Sequence, residues 1–173
     1  NSIAVPVDAS MVIDDLVRNV TRCRVGDVYI SEILKKDGIE FGGEPSGTYI
    51  FPKEFYCPDG IFAGALLSQI ASERNLSEYL AELPVYPVSR SSSYFKTSLR
   101  NSVSSRLKEE MESLDCERLI TIDGYRAEFS DGWFIIRLSG TEPKLRVVAE
   151  SRDEDEMKRL KKAADKIVAR CTS

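Results

Sequence analysis

Two closely spaced glycine turns constrain the fold of this chain more than any other feature. Asp123-Gly124 and Ser130-Asp131-Gly132 separate short runs rich in β-branched and aromatic residues, Arg118–Ile122, Tyr125–Phe129 and Trp133–Leu138, and Leu145–Ala149 follows. Glycine supplies the positive φ that tight turns demand, so runs this short and this close predict consecutive antiparallel strands rather than strands joined by crossovers. Val103, Leu107, Met111 and Leu114 before them, and Met157, Leu160, Ala164, Ile167 and Val168 after them, recur at helical spacing. Ser151-Arg152-Asp153-Glu154 fits a capping box, and Lys158, Arg159, Lys161 and Lys162 follow the acidic first turn as the helix dipole favours. Residues 103–173 are therefore expected to form a small antiparallel α+β domain with its helices on one face.

The first part of the chain has a different rhythm. Ile3-Ala4-Val5-Pro6-Val7 is a β-rich run, and Met11, Val12, Leu16 and Val20 then recur near helical spacing. Ile39-Glu40-Phe41 and Tyr49-Ile50-Phe51 flank a glycine-rich turn, and Asp59 is placed to N-cap a helix carrying Ile61, Phe62, Ala65, Leu66 and Ile70. Strands alternating with helices predict a mixed α/β layer over residues 1–83. Between the two parts, Pro84, Pro87 and Ser91-Ser92-Ser93 keep no period, so residues 84–102 read as a linker.

Composition narrows the chemistry. The 173 residues are 42% hydrophobic and 30% charged with net charge −4, and no basic cluster is interleaved with aromatics. A general nucleic-acid surface lacks the basic footprint it needs. The longest apolar stretch, Ile61 to Leu67, is too short for a bilayer. Asn1-Ser2-Ile3 has neither a methionine nor the order of a signal peptide and reads as the start of a chain in mid-sequence. Cys23, Cys57, Cys116 and Cys171 form no C-x-x-C pair, which predicts reduced packing thiols in a cytoplasmic protein rather than zinc or disulfides. There is no histidine. That removes Ser-His and Cys-His nucleophiles and leaves carboxylates, hydroxyls and cations.

Two loops carry such groups. In Arg137-Leu138-Ser139-Gly140-Thr141-Glu142-Pro143-Lys144-Leu145-Arg146, a turn between predicted strands gathers polar groups at one end of a sheet. Arg137 offers a planar fork suited to phosphate, Ser139 and Thr141 add hydroxyls, Gly140 lets backbone N–H groups approach an anion, and Arg146 adds a second cation. In Gly42-Gly43-Glu44-Pro45-Ser46-Gly47-Thr48, a tight turn brings a carboxylate and a hydroxyl to its tip. Glu44 as acceptor and Ser46 as donor or acceptor suit vicinal sugar hydroxyls. Taken alone, each loop also fits an ordinary connecting turn.

Together and in this order, the loops resemble the sugar-binding loop (G-E-x-S-G-H) and the phosphate-binding loop (R-x-S-G-T-E-P-x-x-R) of the α-D-phosphohexomutases. Thr121-x-Asp123-Gly124 and Asp131-Gly132-Trp133, leading into the second loop, and Arg24-Val25-Gly26-Asp27 and Asp59-Gly60, flanking the first, extend the resemblance over nearly the whole chain. One departure stands out: Thr48 occupies the place of the family's usual histidine, so it can donate a hydrogen bond but cannot titrate near neutrality.

The resemblance implies a truncated mixed α/β third domain followed by a small antiparallel, TATA-binding-protein-like fourth domain. The family interconverts hexose 6-phosphates and 1-phosphates through a bisphosphate intermediate. It implies that Glu44, Ser46, Gly47 and Thr48 hold the sugar and that Arg137, Ser139, Gly140, Thr141 and Arg146 hold the non-reacting phosphate. The family's phosphoserine loop and aspartate-rich Mg²⁺ loop have no counterpart here, as there is no T-A-S-H-N-like run and no D-G-D-x-D run. Catalytic and metal-binding residues are thus expected in missing N-terminal domains, and these 173 residues alone are expected to be inactive. A non-catalytic module that binds a phosphosugar or a protein is the alternative. Glucose, mannose and glucosamine phosphates are not distinguished by these residues.

Overall fold

A computed structural model describes residues 2–173, which divide into a unit ending at Val85 and another beginning at Tyr86. The first contains β1 (Ser2–Pro6), α1 (Val12–Leu16), β2 (Asn19–Cys23), α2 (Asp27–Asp37), β3 (Phe41–Glu44), β4 (Thr48–Ile50), α3 (Gly60–Glu73) and α4 (Leu76–Ala81). Its sheet runs β2-β1-β3-β4, with β1 parallel to both neighbours and β3–β4 an antiparallel hairpin. This is the mixed α/β layer expected from the alternating pattern.

The core of this sheet is closed by α2, whose Ile30 and Leu34 pack with Ala4, Cys23, Ile39 and Ile50. Gly42 makes that packing possible. A Cβ there would lie 2.4 Å from Ile30 Cγ2 and 2.9 Å from Leu34 Cδ1, so only a bare backbone admits the helix. The glycines expected to form the turn are therefore divided in role: Gly42 and Gly43 lie in β3, and only Gly47 turns the chain, at φ 93°.

Two expectations are corrected in this unit. Val20 belongs not to a helix but to β2, where it pairs with Ile3, because parallel pairing to β1 overrides a weak local period. The face Ile61, Phe62, Ala65, Leu66 and Ile70 does lie on a helix capped by Asp59, whose carboxylate accepts from Phe62 N at 2.8 Å. Yet Ala63 is the buried residue of α3, and Ile61 is 89% exposed. Apolar spacing identified the helix but not what lies against it.

The second unit contains β5 (Val88–Tyr94), a 3-10 turn (Thr97–Leu99), α5 (Arg100–Glu112), β6 (Arg118–Ile120), β7 (Tyr125–Phe129), β8 (Gly132–Leu138), β9 (Lys144–Ser151) and α6 (Glu154–Thr172). Its sheet is antiparallel throughout, in the order β5-β9-β8-β7-β6. Phe134, Ile136, Leu145, Val147 and Ala149 point to one face and share a core with Leu107 and Met111 of α5 and Leu160, Ala164 and Ile167 of α6. Both helices thus lie on one side, as the sequence predicts.

The linker expected over residues 84–102 is instead largely structured. All seven residues of β5 pair with β9, from Val88↔Glu150 to Tyr94↔Lys144. The strand is an edge with mostly exposed side chains on both faces, so main-chain bonding defines it and no apolar alternation marks it. The capping box is also displaced: Asp153, not Ser151, caps α6, accepting from Glu156 N at 2.9 Å. Gly132 is corrected as well. Its φ is not positive; a Cβ would sit 2.6 Å from Glu150 O and 2.8 Å from Leu160 Cδ1, so it is there for close approach, while Gly124, at φ 76°, is the turn glycine.

On the opposite face of the sheet, Arg126 is 2% exposed and stacks 3.8 Å from the Trp133 ring. Glu128 binds Arg126 Nε at 2.9 Å, and Glu150 accepts from Trp133 Nε1 at 2.8 Å. Burying these charges in pairs fixes the strands that end at the polar loop after β8.

Candidate functional site

In a parallel sheet, binding residues collect beyond the carboxyl ends of the strands. The first loop forms at such an end. The β3–β4 hairpin closes at the Glu44↔Thr48 pair, leaving Pro45, Ser46 and Gly47 as the turn, with Gly47 N donating to Glu44 O at 3.1 Å. The positive φ of Gly47 completes a three-residue hairpin. Glu44 is anchored from outside the hairpin: its Oε1 accepts from Gly26 N, at the start of α2, at 2.8 Å. Ser46 Oγ donates to Glu44 Oε2 at 3.3 Å and lies 3.5 Å from Thr48 Oγ1. Glu44, Ser46 and Thr48 are thus brought together, and the carboxylate keeps acceptor capacity for a ligand hydroxyl.

Cys23, at the end of β2, senses this carboxylate. Burial first, then the negative charges of Glu44 and Asp8, push its thiol up to about 11. Cys57 is exposed. Because the thiolate is the reactive form, iodoacetamide at mildly alkaline pH is expected to label Cys57 and spare Cys23. In Glu44→Gln one of the raising charges is gone, so the Cys23 pKa falls and its labelling speeds up. Peptide mass spectrometry of the alkylated chain checks both statements; equal labelling of Cys23 with and without the Glu44 charge rejects the coupling.

The second loop lies between β8 and β9. Ser139 N donates to Lys144 O at 2.9 Å, Lys144 N to Glu142 O at 2.9 Å, and Glu142 N to Ser139 Oγ at 3.3 Å. Ser139 is 6% exposed and acts as an internal strut, with its hydroxyl hydrogen still free to donate. The loop's carbonyls are largely engaged. Among the described residues the amides of Gly140 and Thr141 donate no hydrogen bond. A Cβ on Gly140 would meet nothing within 4 Å, so packing does not require glycine; its effect is to leave the main chain bare.

Arg137 and Arg146 are direct cross-strand partners on the sheet face opposite the helices. Like charges so placed repel, and each is offset by a carboxylate. Arg137 Nη1 lies 2.9 Å from Asp123 Oδ2. Arg146 lies 3.9 Å from Glu142, which also pairs with Lys144 Nζ at 2.6 Å. The hydrogen bond from Lys144, joined by the charges of Lys144 and Arg146, holds the Glu142 carboxyl below the usual carboxylate range. The result is a set of cations and open amides held by exchangeable carboxylates, which is the chemistry of an anion site.

Several contacts that support these sites carry no sequence signal of their own. Asp123 is visible only as part of a turn, and Gly26 contributes only its amide. Arg100, at the start of α5, donates to Ser139 O at 2.5 Å and to Glu142 O at 3.3 Å, across a long stretch of sequence. Among the described residues no three His, Cys, Asp or Glu side chains come together to hold a metal.

Comparison with known proteins gives a consistent result. Residues 1–86 match the family model described as phosphoglucomutase/phosphomannomutase, alpha/beta/alpha domain III, and residues 97–167 match that for the phosphoglucomutase/phosphomannomutase C-terminal domain. The probable phosphoglucosamine mutase of Methanocella arvoryzae is 43% identical over 99% of this chain and 40% of its own length. That of Methanosarcina acetivorans is 44% identical over 96% and 38%. The chain thus spans about two fifths of the relatives it matches. Among solved structures, a phosphoglucomutase/phosphomannomutase family protein from Burkholderia thailandensis superposes with a TM-score of 0.80 at 22% identity, over 98% of this chain and 37% of that one. An Aspergillus fumigatus N-acetylphosphoglucosamine mutase, solved with GlcNAc-6P and magnesium, gives 0.62 at 16% identity, over 99% and 39%.

Proposed function

This chain belongs to the phosphoglucomutase/phosphomannomutase family, with its domains III and IV, and from that premise we propose that it is the substrate-binding half of a hexose-phosphate mutase. The name shared by its archaeal relatives makes glucosamine phosphate the first substrate to test. The observation that carries the proposal is the cross-strand pair Arg137 and Arg146 beside the open amides of Gly140 and Thr141.

On this reading Arg137, Arg146, Ser139, Gly140 and Thr141 hold the phosphate that does not react, and Glu44, Ser46, Gly47 and Thr48 hold sugar hydroxyls. Such remote contacts orient the substrate so that binding energy is used at a reacting centre elsewhere. The serine that transfers the phosphoryl group and the Mg²⁺ that supports it belong, in this proposal, to domains outside residues 1–173, which are the chain's partners. No described helix is long and apolar enough to cross a membrane.

Two measurements test the proposal. Titration of the chain with glucosamine 6-phosphate, followed by amide NMR, is expected to shift residues of both loops, whereas glucosamine without its phosphate should leave Arg137–Arg146 unmoved. A coupled mutase assay on the same 173 residues is expected to stay at background. Turnover by this chain overturns its assignment as a binding half, and shifts confined to neither loop overturn the site.

A further inference from the structure

We propose that Arg100 is the positioning residue of the loop between β8 and β9: it ties the carbonyls of Ser139 and Glu142 to α5 and so holds the segment between them with its two amides open to the anion. The proposal rests on the phosphate-loop reading and adds a residue outside that motif. One guanidinium bridges Ser139 O and Glu142 O, the two ends of the segment that contains Gly140 and Thr141. The neighbouring carbonyls are also occupied, Pro143 O by Phe95 N at 3.0 Å and Lys144 O by Ser139 N at 2.9 Å. Amides 139, 142 and 144 are engaged inside the loop, so 140 and 141 are the ones left open. With the carbonyls of Ser139, Glu142, Pro143 and Lys144 engaged, fewer negative ends oppose an anion that approaches the open N–H groups of Gly140 and Thr141.

Charge supports the same role. Arg137, Lys144 and Arg146 each have a carboxylate partner. Among the described residues Arg100 donates only to the two neutral carbonyls, so its charge is not cancelled locally. It therefore adds positive potential behind the open amides without offering a donor to the ligand. A planar fork is needed to span two carbonyls; an ammonium group can satisfy one at a time.

Amide NMR with inorganic phosphate as the probe tests this on the parent chain, Arg100→Ala and Arg100→Lys. The parent is expected to show shifts at Gly140 and Thr141, Arg100→Ala to bind about tenfold more weakly, and Arg100→Lys to recover part of the loss through its charge. Signals of the α5–α6 core should keep their parent positions in Arg100→Lys. Absence of binding by the parent overturns the phosphate-loop reading and this role with it. Parent-like affinity in Arg100→Ala overturns the Arg100 role alone. So does an Arg100→Lys variant whose core signals move throughout, because its weaker binding would then reflect general loosening.

Discussion

Phe134→Ala is expected to cost the second unit about 3–5 kcal/mol, the range for deleting a buried phenylalanine ring from a core that collapses incompletely. Phe134 is fully buried on the central strand β8, with the Phe129 ring 5.8 Å away and residues from both α5 and α6 in the same cluster. A domain of this size has a total stability of about 5–10 kcal/mol, so the loss is a large share of it. The adjacent Trp133 is the chain's one tryptophan, and its fluorescence reports this unit specifically. Urea unfolding followed at Trp133 should show a much lower midpoint for Phe134→Ala, with Phe134→Leu falling between it and the parent. An unchanged midpoint in Phe134→Ala rejects the one-sided core.

That core was legible in the sequence because its determinants are local. Successive hairpins pair neighbours in the chain, so glycine turns and short apolar runs suffice to place β6 to β9. The first unit depends on parallel pairing between distant segments, which no local pattern encodes. Hence Val20 reads as helical while it lies in β2. The Ile30, Ile33, Leu34 spacing of α2 lacks a start signal, since its N-cap is Gly26 and no side chain caps the helix. The edge strand β5 is polar on both faces and invisible to any apolar period. The loops show the same division. Their tips were readable as residue types suited to a sugar and a phosphate. Their supports (Gly26 behind Glu44, Asp123 beside Arg137, Arg100 behind the second loop) are contacts made by folding, with no spacing to reveal them.

Arg137→Ala is expected to abolish phosphate binding by this chain, while Arg170→Ala leaves it unchanged. Arg137 is held by Asp123 through Nη1, which orients the guanidinium while other N–H groups remain to donate. Its cross-strand neighbour Arg146 shares Glu142 with Lys144, so both must release that carboxylate before they can engage an anion fully. Arg137 carries no such competition from Glu142 and is the cation best prepared for the ligand. Each charge-assisted hydrogen bond contributes about 1.5–3 kcal/mol, and much of that is offset by immobilising a small ion. Net affinity is therefore of about millimolar order, and removing one arginine's bonds takes it below detection. Arg170 donates to both carboxylate oxygens of Glu110, at 2.8 and 2.5 Å, joining α6 to α5. Its loss removes an exposed ion pair of small energetic weight and no loop contact. Phosphate titrations of the three proteins by NMR separate the cases. Retained binding in Arg137→Ala, or equal loss in both variants, shows that the anion is held elsewhere or by nonspecific charge.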